Sequence, residues 1–298
     1  MARSLCAARA ALLAALVLVP AAGASQLVDR NAGGVRLEVD AKGEAMLTYT
    51  AGGELKHVLA WGAVNAVAPR PDAKQVEFAL DYAGGYGKYH VSSYWTHPGW
   101  VCLPYDGPAL AWEVAACKAP DGSYWALQAW QRSLPDYGVP ASPDQSAWEL
   151  RLSHWTGATP RLEIALDWSY HRFVHLFGTY TDDGVAEYGF HSTSAGVPLD
   201  AFGRNVYVDT FDSAYGGGWK RENSFLTHRP KGTFCYGFYP HGGHPIGSGS
   251  KYRVTVIGPG VAPDAMWEGS GIGAYDRAAD ATANTAQRAF RDPSCKVN

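Results

Sequence analysis

Apolar and polar residues alternate with a period of two along most of the chain. The alternation is clearest at residues 75–82, 148–153, 161–168 and 251–256, and weaker at 36–40, 45–50, 110–116, 124–131, 172–180, 185–190 and 205–210. Because neighbouring side chains of a strand point to opposite faces, each segment predicts a strand with one buried and one exposed face. The sequence therefore predicts an all-β fold, an antiparallel β-sandwich of jelly-roll or lectin-like type, with a β-barrel as the alternative.

Clusters of glycine, proline, aspartate and asparagine separate the predicted strands. They lie at residues 33–34, 52–53, 69–72, 84–87, 121–122, 182–184 and 216–218. These residue types favour turns, because glycine adopts positive φ, proline fixes φ, and Asn and Asp bond to nearby backbone. Ten or more short strands joined in this way predict a single β-rich domain over residues 25–298.

One segment near the C-terminus departs from the alternating pattern. Residues 275–290 are rich in alanine, and four of them recur at the spacing of one helical face: Ala279, Ala283, Ala286 and Phe290. Asp276 is placed near the start of this segment, and Pro293 follows its end. The segment predicts a short C-terminal α-helix with a small apolar face suited to docking on a sheet.

The N-terminus has the three parts of a secretory signal peptide. Arg3 and Arg9 give a positive start, Ala10 to Pro20 is apolar, and Ala22-Gly23-Ala24 is a small-residue cleavage site. The apolar stretch is about half the roughly 20 residues that a membrane span needs. The sequence therefore predicts removal of residues 1–24 before Ser25, export from the cell as an extracellular protein, and no membrane span.

The charge of the chain argues against one class of partner. Removing the first 24 residues removes two arginines and no acid, so the formal net charge changes from −3 to −5. A nucleic-acid-binding domain shows a basic patch or stripe, and this sequence has no run of Lys and Arg. We therefore predict no nucleic-acid partner. No cofactor is predicted from the sequence, and the oligomeric state is left open. Lysine is scarcer than arginine and alanine is abundant, which suits a GC-rich bacterial genome.

Four cysteines remain after residues 1–24 are removed, and an exported chain encounters an oxidising environment. They are Cys102, Cys117, Cys235 and Cys295. Four cysteines allow three pairings. We favour Cys102–Cys117, which would close a short turn, and Cys235–Cys295, which would hold the C-terminal tail. A zinc site is the alternative, but no C-x-x-C spacing supports it.

Aromatic residues are concentrated between Tyr82 and Trp130. Several of them lie among glycines and prolines, in predicted loops: Tyr86, Tyr89, Trp100 and Tyr105. A sugar ring packs its apolar C–H face on an aromatic ring, while its hydroxyls reach polar neighbours. Trp100 and Tyr105 are therefore candidate ligand-binding residues.

Polar and aromatic residues are interleaved over residues 208–228. Tyr215, Trp219 and Asn223 are candidate ligand-binding residues, because aromatic and amide side chains suit a glycan. The candidate catalytic residues are Asp209, Asp212, Glu222 and His228. Two carboxyl groups at a set separation could serve as general acid and base on a glycosidic bond.

The segment 234–252 contains two histidines three residues apart, His241 and His244, among several glycines. They could bind a metal only with a further ligand, so the preferred interpretation is a long hairpin connection without a metal. The sequence has no G-x-S-x-G nucleophile elbow, phosphate-binding loop or dinucleotide-binding fingerprint.

Three functional hypotheses follow. The leading one is a secreted, disulfide-stabilised protein that binds an extracellular polysaccharide or a cell-surface glycan. The second is a secreted carbohydrate-active hydrolase or lyase on the same scaffold. The third is a structural or surface-interaction protein without a small ligand.

Overall fold

The computed structural model describes residues 25–62, 78–131, 134, 146–169, 173–182, 184–194, 197–201, 203–222, 225–228, 233–237, 249–258, 262–271 and 278. Nearly all of the regular structure within these ranges is β-strand. The first nine strands are β1 (Gln26–Arg30), β2 (Gly33–Val39), β3 (Ala45–Ala51), β4 (Glu54–Gly62), β5 (Phe78–Asp81), β6 (Leu103–Pro104), β7 (Glu113–Lys118), β8 (Tyr124–Gln131) and β9 (Trp148–Trp155). A one-turn helix α1 (Tyr86–Tyr89) and a 3₁₀ turn (Tyr94–Thr96) lie between β5 and β6.

Eleven further strands follow in the second half of the chain. They are β10 (Arg161–Ser169), β11 (Phe173–Asp182), β12 (Val185–Ala186), β13 (His191–Ser192), β14 (Pro198–Leu199), β15 (Asn205–Ser213), β16 (Gly216–Arg221), β17 (Phe225–His228), β18 (Thr233–Gly237), β19 (Lys251–Ile257) and β20 (Ala265–Ser270). All of the strand pairs are antiparallel.

Strands β1–β9 form two sheets that share one core, which we term the first sandwich. The five-stranded sheet has the order β1-β9-β8-β7-β6, and the four-stranded sheet has the order β2-β3-β4-β5. Leu127 and Leu152 of the first sheet pack in the same buried cluster as Leu47 and Val58 of the second. Burial of these facing side chains is the main stabilising contribution to the sandwich.

Strands β10–β20 form one large sheet with a core of its own. The strand order is β10-β11-β18-β17-β13-β14-β15-β19-β20, with β12 beside β11 and β16 beside β15. The sheet curls so that β10 and β20 lie close together, and Tyr180, Val208 and Val254 are buried inside the curl. No hydrogen-bonded pairing of β10 with β20 is found in the described part of the chain. The prediction of an all-β antiparallel sandwich is confirmed, and no sheet formed by the described residues closes into a barrel.

The two halves of the chain contact one another through buried polar groups. Gln128 of β8 exchanges two hydrogen bonds with the backbone of Asp264, and the Ser153 hydroxyl donates to the Ala262 carbonyl. The rings of Trp130 and Tyr207 are also in contact, with centroids 5.5 Å apart. These contacts hold the first sandwich against the strands β15, β19 and β20.

Strand prediction succeeded where the alternation was strong and failed where glycine or short length obscured it. Residues 148–153, 161–168 and 251–256 lie in β9, β10 and β19. Gly216–Gly218, expected to form a turn, instead begins strand β16, and the turn lies at residues 214–215. The expected helix at 275–290 lies outside the described residues apart from Ala278, which is helical.

The predicted disulfide between Cys102 and Cys117 is present, with the two Cα atoms 5.0 Å apart. It joins the segment before β6 to β7. Cys235 is also disulfide-bonded, and its predicted partner, Cys295, lies outside the described residues. Within the described ranges, no helix has the length and apolar character that crossing a membrane requires.

Candidate functional site

The segment between β5 and β6, residues 82–101, folds across the outer face of the four-stranded sheet. Alternation along β3 and β4 sends Leu47 and Val58 into the sandwich core and turns Met46 and Leu59 outward. Tyr94 packs on Met46 and Leu59 and is itself buried. Aromatic rings therefore cover an outer face that would otherwise expose apolar side chains to water.

The turn that begins this segment requires glycine. Gly84 and Gly85 have φ of 63° and 98°, a region that glycine enters without steric cost. A Cβ atom at Gly85 would lie 2.5 Å from the ring of Tyr94, and one at Gly84 would lie 2.6 Å from the ring of Trp95. The Asp81 carboxylate accepts hydrogen bonds from the backbone of Ala83 and Lys88, which fixes the turn.

A hydrogen-bonded set of tyrosines and lysines lies on this face. The Glu44 carboxylate oxygen Oε1 accepts from Lys88 Nζ and from the Tyr89 hydroxyl, both at 2.6 Å. Lys42 Nζ donates to the hydroxyls of Tyr89 at 3.3 Å and Tyr94 at 3.1 Å. The buried Glu44 carboxylate thus bonds directly to one ammonium group, and the Tyr89 hydroxyl connects it to the other.

Aromatic rings surround these polar groups. Tyr89 and Tyr94 stack with centroids 4.3 Å apart, and Trp100 meets Tyr94 edge-on. Lys88 Nζ lies 4.1 Å from the centroid of the Trp61 ring, in cation–π contact. The ring of Trp95 stacks on His57. We term the whole surface the outer-face site; it consists of Lys42, Glu44, Trp61, Lys88, Tyr89, Tyr94, Trp95 and Trp100.

The protonation states of this surface follow from burial and hydrogen bonding. Burial, followed by its hydrogen bond to Glu44, raises the pKa of the Tyr89 phenol. Hydrogen bonds to Tyr94 and Tyr89 raise the pKa of Lys42, and burial lowers the pKa of His57. At neutral pH the site therefore presents a neutral phenol and a charged ammonium, and the imidazole of the adjoining His57 is neutral.

Two polar atoms of the outer-face site have unused hydrogen-bonding capacity. Among the described residues, neither Oε2 of Glu44 nor Nε1 of Trp100 has a hydrogen-bond partner. A buried polar atom without a partner costs about 1–3 kcal/mol, so such atoms need an explanation. Both atoms are enclosed by their neighbours, so a ligand would reach them only after the surrounding side chains moved.

The structure separates the two aromatic candidates chosen from the sequence. Trp100 belongs to the outer-face site. Tyr105 lies on the opposite side of the first sandwich, where it packs edge-on against Tyr124 and Trp155 of the five-stranded sheet. Its hydroxyl donates to the Pro108 carbonyl at 2.7 Å. The two residues therefore cannot contact one small ligand together.

The candidates of the 208–228 segment lie on β15, β16 and their connection. Tyr215 is buried, with 7% of its surface exposed. The Arg253 guanidinium lies 3.9 Å from the centroid of the Trp219 ring, and Phe211 packs beside the same ring. A sugar stacking on that face of Trp219 would have to displace Arg253.

The three candidate carboxylates of this segment do not converge. Asp209 pairs with Arg221, directly opposite it across β15 and β16, so both side chains share one face. Glu222 follows Arg221 and accepts from the Thr210 hydroxyl at 2.9 Å on the other face. Asp212 is exposed at the bulge before the turn, with φ of 47°, and accepts from the Gly218 backbone.

The remaining sequence candidates cannot be placed as side chains. Asn223, His241 and His244 lie outside the described residues, and only the backbone of His228 is described, in β17. Within the described ranges, no group of three or more His, Cys, Asp or Glu side chains could hold a metal ion.

A serine–histidine pair that the sequence motifs did not reveal lies in the first sandwich. Ser123 Oγ is 2.9 Å from His154 Nε2, and Ser123 also donates to Asp121 at 2.6 Å. Both Ser123 and His154 are buried, and the ring of Trp125 stacks on the imidazole at 3.7 Å. Burial lowers the pKa of His154 to about 4. This pair is a structural element of the core, because its burial leaves no path for a substrate.

The outer-face site thus brings loop aromatics, two lysines and a buried carboxylate together at a partly exposed surface. Of this site, sequence reasoning chose only Trp100 as a candidate binding residue and noted Tyr89 as a loop aromatic. It missed Lys42, Glu44 and Trp61, which precede the loop in sequence and meet it only in the folded sheet. Comparison with known proteins gives no match, because no protein-family model, curated protein or solved structure is similar to this chain.

Proposed function

We propose that the chain is an exported, disulfide-stabilised β-sandwich protein that binds extracellular carbohydrate through the outer-face site. The observation that carries the proposal is a cluster of five aromatic rings beside charged groups. Two of the rings are tyrosines that hydrogen-bond to Glu44 and Lys42, and Lys88 pairs with Glu44. Carbohydrate needs this combination, because ring faces and edges pack on C–H groups while carboxylate, ammonium and phenol groups bond to hydroxyls. An extracellular polysaccharide or a cell-surface glycan is the partner class.

The arrangement of carboxylates favours binding over the hydrolase alternative. Hydrolysis of a glycosidic bond requires two carboxyl groups that face each other across the bond. Glu44 supplies one carboxylate, already held by Lys88 and Tyr89. Asp209 and Glu222 lie on opposite faces of the large sheet. A binding role needs no second carboxylate.

The exposure of the rings favours binding over a purely structural role. Lys42 is exposed, and Trp61, Tyr89, Trp95 and Trp100 are each partly exposed at the surface. Rings that served only as a second core would be buried as completely as Trp125 and Trp155 of the first sandwich.

The test is retention of the folded chain, residues 25–298, on a broad glycan array and on insoluble polysaccharides. The first variant is Tyr89→Phe, which removes the hydroxyl that links Lys42 to Glu44. The matched control is Tyr124→Phe on the opposite sheet, where the hydroxyl also donates to a carboxylate that is paired with a lysine. We expect Tyr89→Phe to weaken binding about fivefold, the effect of losing roughly 1 kcal/mol of hydrogen bonding, and Tyr124→Phe to leave it unchanged.

A second pair of variants tests the rings. Trp95→Ala removes a partly exposed ring of the outer-face site, and Trp148→Ala removes an exposed ring of β9 that is 49% exposed. We expect loss of binding only for Trp95→Ala. The proposal fails if the folded chain is retained on no glycan, or if the site and control variants weaken binding equally.

A further inference from the structure

Ser25, the residue that the sequence predicts to follow the cleavage site, is enclosed by the fold. Only 1% of its surface is exposed. Its backbone nitrogen donates to the Gly258 carbonyl at 2.5 Å. Its hydroxyl lies 2.7 and 2.8 Å from the two carboxylate oxygens of Asp264. The start of β1 is therefore inserted beside the connection between β19 and β20, more than two hundred residues later in the chain.

Asp264 is a buried carboxylate that lacks a direct countercharge. Among the described residues, no lysine or arginine makes an ion pair with it. Its backbone is held by Gln128. Burial raises the pKa of Asp264 to about 7, with Arg151 and the Ser25 hydroxyl opposing the shift. A buried anion is costly unless a positive charge and hydrogen bonds compensate it.

The other charged groups near Asp264 are already paired. Arg151 of β9 donates to Glu149 at 3.0 Å and to the Ser25 carbonyl at 3.0 Å. Arg30 of β1 also pairs with Glu149, at 3.2 Å. Glu149 adds a second buried negative charge near Asp264. The missing component is a cation next to the Asp264 carboxylate.

Cleavage of the chain before Ser25 would supply that cation. A peptidase hydrolyses the C–N bond between Ala24 and Ser25, with water providing the hydroxyl of the new Ala24 carboxyl and a proton for the Ser25 nitrogen. The freed α-amino group has a usual pKa near 8 and is largely protonated at neutral pH. Covalent geometry keeps this nitrogen within about 4 Å of the Ser25 Oγ, which already contacts both oxygens of Asp264.

We propose that Asp264 and the Gly258 carbonyl form a receptor for the α-ammonium group of Ser25, so that removal of the leader completes a buried ion pair. Before cleavage the Ser25 nitrogen is a neutral amide with a single N–H, which Gly258 already accepts. After cleavage it carries a positive charge and two more donors. Processing thus stabilises the contact between the first sandwich and the large sheet.

The test compares two forms of residues 25–298 that differ only at the N-terminus. One has the free Ser25 amine, released from a fusion by a protease that leaves no extra residue; the other is N-acetylated at Ser25. Removing one partner of a buried ion pair has a large effect on stability, so we expect the acetylated form to unfold at least about 5 °C lower. Asp264→Asn should remove most of this difference, while Ser25→Ala, which keeps the amine, should retain it.

The pH dependence gives a second test that needs no Asp264 variant. The carboxylate raises the pKa of the amine in the folded state, so the amine's contribution is complete below its unfolded pKa and is lost as the pH rises through its folded pKa. The difference between the two forms should therefore decline in alkaline solution. Equal unfolding temperatures at pH 7, or an exported protein whose N-terminus is not Ser25, would overturn the proposal. Neither result involves glycan binding, so the proposed function is tested separately.

Discussion

The substitution Glu187→Gln tests the charge arrangement inside the large sheet. Glu187 and Asp200 flank Arg204, whose side chain is completely buried. The Arg204 guanidinium lies 3.1 Å from Glu187 and 4.5 Å from the centroid of the Tyr180 ring. One cation thus faces two buried carboxylates. Glutamine keeps the shape of Glu187 but cannot ionise.

The expected magnitude follows from the pKa of Glu187. Burial raises this pKa from its usual value of 4.5 to about 7, and Arg204 opposes the shift. Between these two pH values the folded chain holds a proton that the unfolded chain has released, so stability falls as the pH rises. At about 1.4 kcal/mol per pKa unit, the loss from pH 4.5 to pH 7 is about 3 kcal/mol. Above pH 7 the contribution stays constant.

The assay is urea unfolding of the unmodified chain and of Glu187→Gln from pH 4.5 to pH 8. His154 changes the stability with pH in the opposite direction. Its pKa is lowered to about 4 in the folded chain, so its contribution to stability is lost as the pH falls below 6.5. Taking the difference between the two proteins removes His154, which is present in both. We subtract the free energy of unfolding of the unmodified chain from that of Glu187→Gln. This difference should rise by about 3 kcal/mol from pH 4.5 to pH 8. A difference that does not vary with pH refutes the reasoning. The control for the substitution itself is Glu163→Gln, because the Glu163 carboxylate is 61% exposed.

Three further outcomes are expected. Replacing Cys102 and Cys117 by serine opens a loop with a sequence separation of 15 and should cost about 3 kcal/mol, seen as a lower unfolding temperature than that of the unmodified chain without reductant. Gly85→Ala should destabilise the chain by more than 1 kcal/mol in urea unfolding and weaken glycan retention, because it strains a φ of 98° and pushes against Tyr94. Arg221→Met should cost about 3–5 kcal/mol by leaving Asp209 buried and unpaired, and adding Asp209→Asn should restore part of that loss, as a double-mutant cycle would show.

The period-two pattern predicted the strands well, because most of them have one buried face and one wetter face. It failed where that contrast was absent. Strands β13 and β14 have two residues each, too few to show alternation. Strand β16 begins with three glycines, which carry no side chains to alternate and were interpreted as a turn. The arrangement into two separate cores depends on long-range strand pairing, which alternation does not encode.

The candidate site was predicted only in part, because strand register decides which residues meet. The aromatic segment 82–101 stood out by composition, yet its polar partners Lys42 and Glu44 lie about forty residues earlier. Trp219 was chosen as a stacking surface, but the pairing of β15 with β16 and β19 places Arg253 on its ring. Asp209 and Glu222 were grouped by nearness in sequence, and the pleat of the strand places them on opposite faces.

Each outer face of the first sandwich carries a tyrosine and a lysine that donate hydrogen bonds to one carboxylate. The two faces differ in how deeply that carboxylate is buried. On one face Tyr89 and Lys88 donate to Glu44, whose side chain is 6% exposed. On the other face Tyr124 and Lys118 donate to Asp106, whose side chain is 57% exposed. Water screens the exposed Lys118–Asp106 pair and leaves its side chains free to move. This pair therefore adds little stability and presents no fixed geometry to a ligand. The buried set is held in place before any ligand arrives, which lowers the entropy cost of binding. A glycan should therefore select the face that carries Glu44, although the donors and acceptors of the two faces are nearly identical.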